Sequence, residues 1–239
     1  MKKLIGLAAC ILLMVGNIQA HALWVATNET GVVGEAQEIK VYFGEFTYGV
    51  IEEVGGEAFE MMKNFTLSVI SPAGEKTSLK VEAKDTYYLA TYTPSEEGTY
   101  TVVLDNDKIK VIDYSEYDFG IFKTHYHSVA KIQVGDRGAE THTDNKAGIT
   151  LKNLPSSDEK VQLQVLFKGE AMAETEVKVF LADQWSKTLK TDEDGKVAFG
   201  LPWDTDYLVE VTTEERVPGT YNGEEYEFVW HCVTQQLSK

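Results

Sequence analysis

The spacing of the apolar residues constrains the fold of this chain more than any other feature. They rarely recur at the three- and four-residue intervals of an amphipathic helix, and instead alternate with polar residues in short runs. Ile39, Val41 and Phe43 are one such run, and residues 100–104 are another. Gly, Pro, Asn and Asp separate the runs and favour turns. The pattern predicts an all-β protein of antiparallel β-sandwich type, with one short helix over residues 57–64.

The strand pattern is interrupted once, at a polar segment from Gly135 to Asp144. We therefore predict two β-sandwich domains in tandem, residues 21–140 and 141–239. About 220 residues suffice for two modest hydrophobic cores.

The second predicted domain contains an acidic turn, Thr191-Asp192-Glu193-Asp194-Gly195-Lys196. Its Asp194-Gly195 pair is typical of a tight β-hairpin. The segment lacks the twelve-residue spacing with a closing Glu of a calcium loop, so calcium is not expected here.

The first twenty residues have the form of a secretion signal. Lys2 and Lys3 precede an apolar run from Leu4 to Val15, and Gly16-Asn17-Ile18-Gln19-Ala20 follows, with small residues at its ends. The run is shorter than the roughly 20 residues of a membrane span. We predict an exported, periplasmic protein with residues 1–20 as signal peptide and no transmembrane helix in the mature chain.

The position of the signal cleavage remains open from the sequence. Cleavage after Ala20 makes His21 the first residue, whereas cleavage after Ala22 has the better pair of small residues but removes His21. A lipoprotein anchor at Cys10 is disfavoured because it requires a cut within the apolar run. Loss of Cys10 with the signal leaves Cys232 alone, which excludes a disulfide framework. Cys232 is expected to be a small buried residue.

The composition is strongly acidic, with 38 Asp and Glu against 22 Lys and Arg and a net charge of −16. Removal of the two signal lysines takes the net charge to −18. Such a surface repels phosphate backbones, so nucleic acid is not an expected partner, and it raises the local concentration of cations. Most of the acidic residues are expected simply to form a solvated surface.

Histidines are the candidate metal ligands. A first-position His21 would offer one ion its α-amine and its imidazole. His125 and His127 stand two apart on a predicted strand and so point to one face, roughly 7 Å apart along the chain. Together with His21 they would supply three or four nitrogens for an ion such as Ni, Co or Cu. His142 is a second-rank ligand, and His231 is set aside because its strand neighbour Cys232 faces the opposite side.

Carboxylates contribute less to this expected site. Glu45, in Gly44-Glu45-Phe46, occupies a loop position from which a ligand can reach an ion. Glu45 is nevertheless expected to be solvated, as are Glu29, Glu52 and Glu53.

Two resemblances add to this reading. Residues 169–179, 190–199 and 206–211, with their Thr-Asp-x-x-Gly turn, resemble Cna B-type and carboxypeptidase-regulatory-like modules. The resemblance implies a small prealbumin-like β-sandwich in the second half.

The wider order of motifs is similar to a periplasmic domain-of-unknown-function family that includes nickel-transport accessory proteins. The motifs are His-x-Leu-Trp-Val at residues 21–25, Gly44-Glu45-Phe46, Pro-x-x-x-Gly-x-Tyr at 94–100 and the Thr-Asp-x-x-Gly turn. The resemblance implies a periplasmic role linked to metal uptake. This chain departs from the family pattern in showing neither a His-rich tract nor a membrane helix.

From these patterns we expect an accessory protein that binds a transition metal, with a membrane metal transporter or an outer-membrane protein as partner. The alternative is a metal-free module that binds a protein or glycan at the cell envelope through an aromatic strip. That strip would consist of Tyr87, Tyr88, Tyr114 and Tyr117. No catalytic motif is present, so an enzyme is not expected.

Overall fold

The computed structural model describes residues 21–136, 145–156, 160–182 and 185–239. The predicted signal peptide with Cys10, the predicted domain boundary near residue 140, and His142 lie outside the described residues.

The described chain is built almost entirely from β-strands, as predicted. The predicted short helix is present as α1, Glu57–Met62. Single 3₁₀ turns lie at Phe46–Tyr48 and Ser115–Tyr117. The strands are β1 Ala22–Thr27, β2 Thr30–Gly31, β3 Gln37–Glu45, β4 Val50–Ile51, β5 Thr66–Ile70, β6 Lys76–Ser78, β7 Glu82–Ala83, β8 Tyr88–Tyr92, β9 Gly98–Asn106, β10 Ile112–Tyr114, β11 Gly120–Val134, β12 Ile149–Asn153, β13 Lys160–Phe167, β14 Glu170–Ala171, β15 Glu176–Leu181, β16 Trp185–Lys190, β17 Lys196–Gly200, β18 Asp206–Glu215, β19 Gly219–Tyr221, β20 Glu224–Tyr226 and β21 Phe228–Ser238.

One large sheet runs through both halves of the chain. Its strand order is β16-β15-β18-β21-β11-β9-β5-β6, with β10 and β2 also paired to β11. The junction between the halves is the parallel pairing of β21 with β11. Two smaller sheets accompany it, one formed by β1, β3, β4, β7 and β8 and one by β12, β13, β14 and β17, and β19 with β20 forms a hairpin.

Two hydrophobic cores lie on opposite faces of the large sheet. Cys232 belongs to the core that contains residues of β1, β3 and β9, whereas its neighbour Val233 belongs to the core that contains residues of β12, β13 and β17. Since successive residues of a strand point to opposite faces, each small sheet covers a different face of the large one. The predicted burial of Cys232 is confirmed, at 4% exposure.

Each core contains a buried tyrosine whose hydroxyl bonds to backbone a few residues upstream. The Tyr100 hydroxyl donates to the Glu96 carbonyl and accepts from the Glu96 N–H, both at 3.0 Å. The Tyr207 hydroxyl accepts from the Trp203 N–H at 2.8 Å and donates to the Trp203 carbonyl at 3.1 Å. This arrangement recurs in β-sandwiches, where it closes one end of the fold.

The hairpin predicted at Asp194-Gly195 is not formed. The turn itself is present, since the Asp192 N–H donates to the Lys196 carbonyl at 2.9 Å. However, β16 before it pairs with β15, and β17 after it pairs with β13. The turn therefore connects the large sheet to a small one. Side chains of β16 and β17 pack on the two sides of the second core, and this packing outweighs the pairing of the two strands with each other.

Candidate functional site

Strand β1 is fixed along both of its edges. One edge pairs with β3 by backbone hydrogen bonds. On the other edge, the Val25 N–H donates to Ser128 Oγ at 2.9 Å and the Thr27 N–H donates to Gln236 Oε1 at 2.9 Å. Side chains of β11 and β21 thus satisfy backbone groups that a sandwich edge would leave unpaired, and they hold the start of β1 in place.

His21, immediately before β1, contacts two carboxylates. Its Nε2 lies 2.7 Å from Glu52 Oε1, and its Nδ1 lies 3.5 Å from Glu45 Oε1. The His21 carbonyl accepts a hydrogen bond of 2.8 Å from the Tyr126 hydroxyl, and the ring centroid lies 5.3 Å from that of Phe43. The side chain is one-third exposed, so the ring is accessible to solvent on one side.

A glycine brings the two carboxylates to His21. Gly44 has φ +150°, and a Cβ at this position would lie 2.1 Å from the Val50 carbonyl oxygen. Only glycine allows β4 to approach so closely, with Gly44 paired to Ile51. The return of the chain through β4 places Glu52 beside the ring. Glu45 and Glu52 were both expected to be solvated, but both are half-buried beside the His21 ring.

His125 and His127 lie on one face of β11, as predicted, and meet at one carboxylate of β9. His125 Nε2 is 2.7 Å from Asp105 Oδ1, and His127 Nδ1 is 3.5 Å from the same oxygen. Burial alone would raise the pKa of Asp105, but the hydrogen bond to His125 and the neighbouring His127 ring lower it well below its ordinary value. Both histidines are 6% exposed, and neither nitrogen of His127 has a hydrogen-bond partner among the described residues.

The structure does not bring His21 together with the His125/His127 pair. Tyr126, between the two histidines on β11, belongs to the first core and reaches the His21 carbonyl. His127 is paired in register with Val233, whose side chain belongs to the second core. The pair therefore lies on the face of the large sheet opposite to His21, and the site of three or four nitrogens expected from the sequence is not formed.

His231, which the sequence reasoning set aside, is the residue that His125 faces. The two rings have centroids 5.4 Å apart, and His231 Nε2 lies 3.0 Å from Glu215 Oε2. Burial lowers the pKa of His231, and the hydrogen bond to Glu215 opposes this shift. His231 and Cys232 do face opposite sides, as predicted, but no signal in the sequence indicated that β21 would lie beside β11.

Across residues 21–136, 145–156, 160–182 and 185–239, no three His, Cys, Asp or Glu side chains are grouped as ligands of one metal ion. His21 with Glu45 and Glu52 is therefore not such a group.

The tyrosines of the expected aromatic strip fall in two places. Tyr114 and Tyr117 are exposed and their ring centroids are 5.6 Å apart. Tyr88 instead packs against the first core, and Tyr87 lies against Tyr42.

The strands define an all-β protein in which two hydrophobic cores share one large sheet. The family model described as Domain of unknown function (DUF4198) matches residues 18–215, and the chain belongs to this family. No curated protein sequence matches the chain significantly. Within the described residues, no helix combines the length and apolar character needed to cross a membrane.

Solved structures resemble the chain only remotely. Salmonella alpha-2-macroglobulin reacted with methylamine is 10% identical with a TM-score of 0.32, over 91% of this chain and 15% of that protein. Escherichia coli alpha-2-macroglobulin activated by porcine elastase is 11% identical with a TM-score of 0.32, over 92% of this chain and 20% of that protein. The BSP domain of a biofilm associated protein is 12% identical with a TM-score of 0.24, over 89% of this chain and 30% of that chain. The chain thus spans less than a third of the length of each.

Proposed function

We propose that this protein is an exported, periplasmic protein that binds one transition-metal ion, Ni, Co or Cu, at His21 as an accessory to its uptake or handling. The observation that carries the proposal is the position of the His21 ring, with Glu45 beside Nδ1 and Glu52 hydrogen-bonded to Nε2.

The two ring nitrogens have different roles in this site. A carboxylate on one nitrogen of a metal-binding histidine fixes the tautomer and leaves the other nitrogen free to bind the ion. Glu52 has this orienting role at Nε2, so Nδ1 is the ligand. An ion on Nδ1 lies within reach of Glu45 Oε1, 3.5 Å from that nitrogen.

Cleavage after Ala20 would complete the ligand set. The α-amine of a first-position His21 and its Nδ1 then close a chelate on one ion, and Glu45 adds an oxygen. Imidazole and amine nitrogens suit Ni and Cu, and a strongly acidic surface raises the local concentration of cations.

The test begins with the exported protein, whose first residue is determined by mass spectrometry. Calorimetric titration with Ni(II), Co(II) and Cu(II) then compares wild type with His21→Ala. A second variant carries one additional Ala between residues 20 and 21. When mass spectrometry shows that this Ala is the first residue, the variant retains the imidazole but moves the amine to another residue.

We expect both variants to lose at least tenfold in affinity at one site. Unchanged binding in His21→Ala would overturn the proposal. If His21→Ala loses metal binding and the insertion variant binds as wild type does, the amine is not a ligand and only side chains bind the ion.

A metal-free interaction module is the second candidate. The exposed Tyr114 and Tyr117 rings favour it, because neighbouring exposed aromatic rings are suited to contact a protein or a sugar. A Tyr114→Ala/Tyr117→Ala variant that lost capture of an envelope protein or a glycan, with metal binding unchanged, would support this candidate.

A further inference from the structure

Two buried histidines outside the His21 site lie where the two halves of the chain join. His125 of β11 and His231 of β21 are register partners across the parallel pairing. Their rings are 5.4 Å apart at an angle of 62°, and the two residues are 6% and 3% exposed.

Each of these rings is oriented by its own carboxylate. Asp105 Oδ1 lies 2.7 Å from His125 Nε2, and Glu215 Oε2 lies 3.0 Å from His231 Nε2. From this network we assign the proton of each neutral ring to Nε2, which leaves both Nδ1 atoms with a free lone pair. In both pairs a carboxylate contacts one nitrogen of the imidazole and the other nitrogen is free, which is the arrangement found for histidines that bind metal ions.

The two Nδ1 atoms border the same small space. A Cβ built on Gly148 would lie 3.0 Å from His231 Nδ1, 3.4 Å from His125 Nδ1 and 3.0 Å from Asn145 Nδ2. Gly148 does not have a positive φ, so its backbone does not require glycine. The absence of a side chain at this position keeps open the space that the two nitrogens face.

One of these nitrogens lacks any partner in the described structure. His231 Nδ1 is fully buried and has no hydrogen-bond partner among the described residues. Buried polar atoms are nearly always paired, so the lone pair of His231 Nδ1 is available to a ligand in this space.

We propose that His125 and His231 bind a second transition-metal ion through their Nδ1 atoms, in the space beside Gly148. Asp105 and Glu215 hold the rings from behind. Neutral imidazole ligands select Zn or Cu over Mg or Ca. Two protein nitrogens leave the remaining coordination positions to water or another ligand. This site lies on the face of the sheet opposite to His21 and does not depend on the function proposed for His21.

The test uses the His21→Ala protein, in which the first site is absent. Equilibrium dialysis against Zn(II) or Cu(II) alone, followed by elemental analysis, measures the number of ions bound per chain. We expect one ion per chain in this background. His231→Gln retains an amide near Glu215 but removes the ring nitrogens, and we expect it to weaken binding at least tenfold.

His127→Gln is the matched control. His127 lies on the same strand and face as His125, is equally buried, and borders Asp105. We expect this variant to retain the ion, whereas Gly148→Ala, which fills the space and removes no ligand, should weaken binding. X-ray absorption of the Zn-loaded protein should show two imidazole nitrogens at about 2.0 Å. Urea unfolding of each variant identifies any loss that comes from misfolding.

Three outcomes would overturn this proposal. No ion in the His21→Ala background would exclude the second site, while one ion in wild type would still support the His21 site. Loss of the ion in His127→Gln with retention in His231→Gln would place it at Asp105 instead. Equal binding in wild-type and Gly148→Ala proteins would exclude the space beside Gly148.

Discussion

The Thr234 hydroxyl donates a 2.8 Å hydrogen bond to the Leu23 carbonyl, across 211 residues of sequence. Thr234 also shares a 2.8 Å hydrogen bond with Ser128, whose Oγ accepts from the Val25 N–H at 2.9 Å. Ser128 and Thr234 are fully buried. The end of the chain therefore fixes the strand that presents His21, and the stability of the first core is coupled to the C-terminal strand.

Replacement of Thr234 by Val should destabilise the protein by about 1–3 kcal/mol. The substitution retains the shape of the side chain but leaves the buried Leu23 carbonyl without its donor. Urea unfolding followed by tryptophan fluorescence measures the difference. The exposed Thr220→Val serves as control, and an equal effect of the two substitutions would contradict the assigned role of Thr234.

Replacement of Glu52 by Gln should weaken metal binding at His21 by roughly 10- to 100-fold, as is usual for the carboxylate behind a ligating histidine. The reason is that a carboxylate fixes the His21 tautomer more firmly than an amide does. Calorimetry with Cu(II) measures the change. The adjacent, exposed Glu53→Gln removes the same charge and should leave the affinity close to that of wild type.

A buried carboxylate should make stability depend on pH. Burial raises the pKa of Glu210 from its ordinary value of 4.5 to about 7, and Lys178 opposes the shift only in part. The folded state therefore retains a proton that the unfolded state has already lost between these two values. Burial of Glu210 does not lower the free energy of unfolding below about pH 4.5, where the carboxyl is protonated in both states. It lowers the free energy of unfolding increasingly as the pH rises to about 7, and the effect then levels off.

The Glu210→Gln substitution should remove this loss. At pH 8 the variant should be more stable than wild type by about 1–3 kcal/mol, and the two should converge near pH 4. Urea unfolding at a series of pH values measures the difference. Glu176→Gln, an exposed carboxylate of the neighbouring strand β15, controls for the loss of one charge. A difference that stayed constant from pH 4 to pH 8 would show that Glu210 does not cause the pH dependence.

Removal of the Tyr207 hydroxyl should weaken the second core. Tyr207→Phe breaks both hydrogen bonds to Trp203 and leaves these backbone groups unpaired, with an expected cost of about 1–2 kcal/mol. Thermal unfolding measures the change, and the largely exposed Tyr117→Phe is the control. Equal melting temperatures for Tyr207→Phe and wild type would show that the two hydrogen bonds to Trp203 do not contribute to stability.

Local pattern predicted the parts of the fold that depend on neighbours in sequence. The alternation of Ile39, Val41 and Phe43 gave a strand whose three side chains are buried. The same two-residue period placed His125 and His127 on one face and placed His231 and Cys232 on opposite faces. These predictions succeed because the direction of a side chain on a strand follows from its position in that strand.

Partners distant in sequence were not predictable. Glu52 and Asp105 are ordinary acidic residues in the sequence, and only the tertiary structure places them against His21 and His125. Asp194-Gly195 has the composition of a hairpin turn, yet core packing sends its two strands to different sheets.

The sequence by itself determined an all-β chain with turns at its Gly, Pro and Asp clusters, a buried Cys232 and membership of a recognisable family. Only the tertiary structure decided that β21 lies parallel to β11, and hence that His125 meets His231 while His21 lies on the other face. The physical reason is that strand alternation is a local property, whereas the pairing of strands far apart in the chain is decided by which arrangement buries both cores and satisfies the backbone at once.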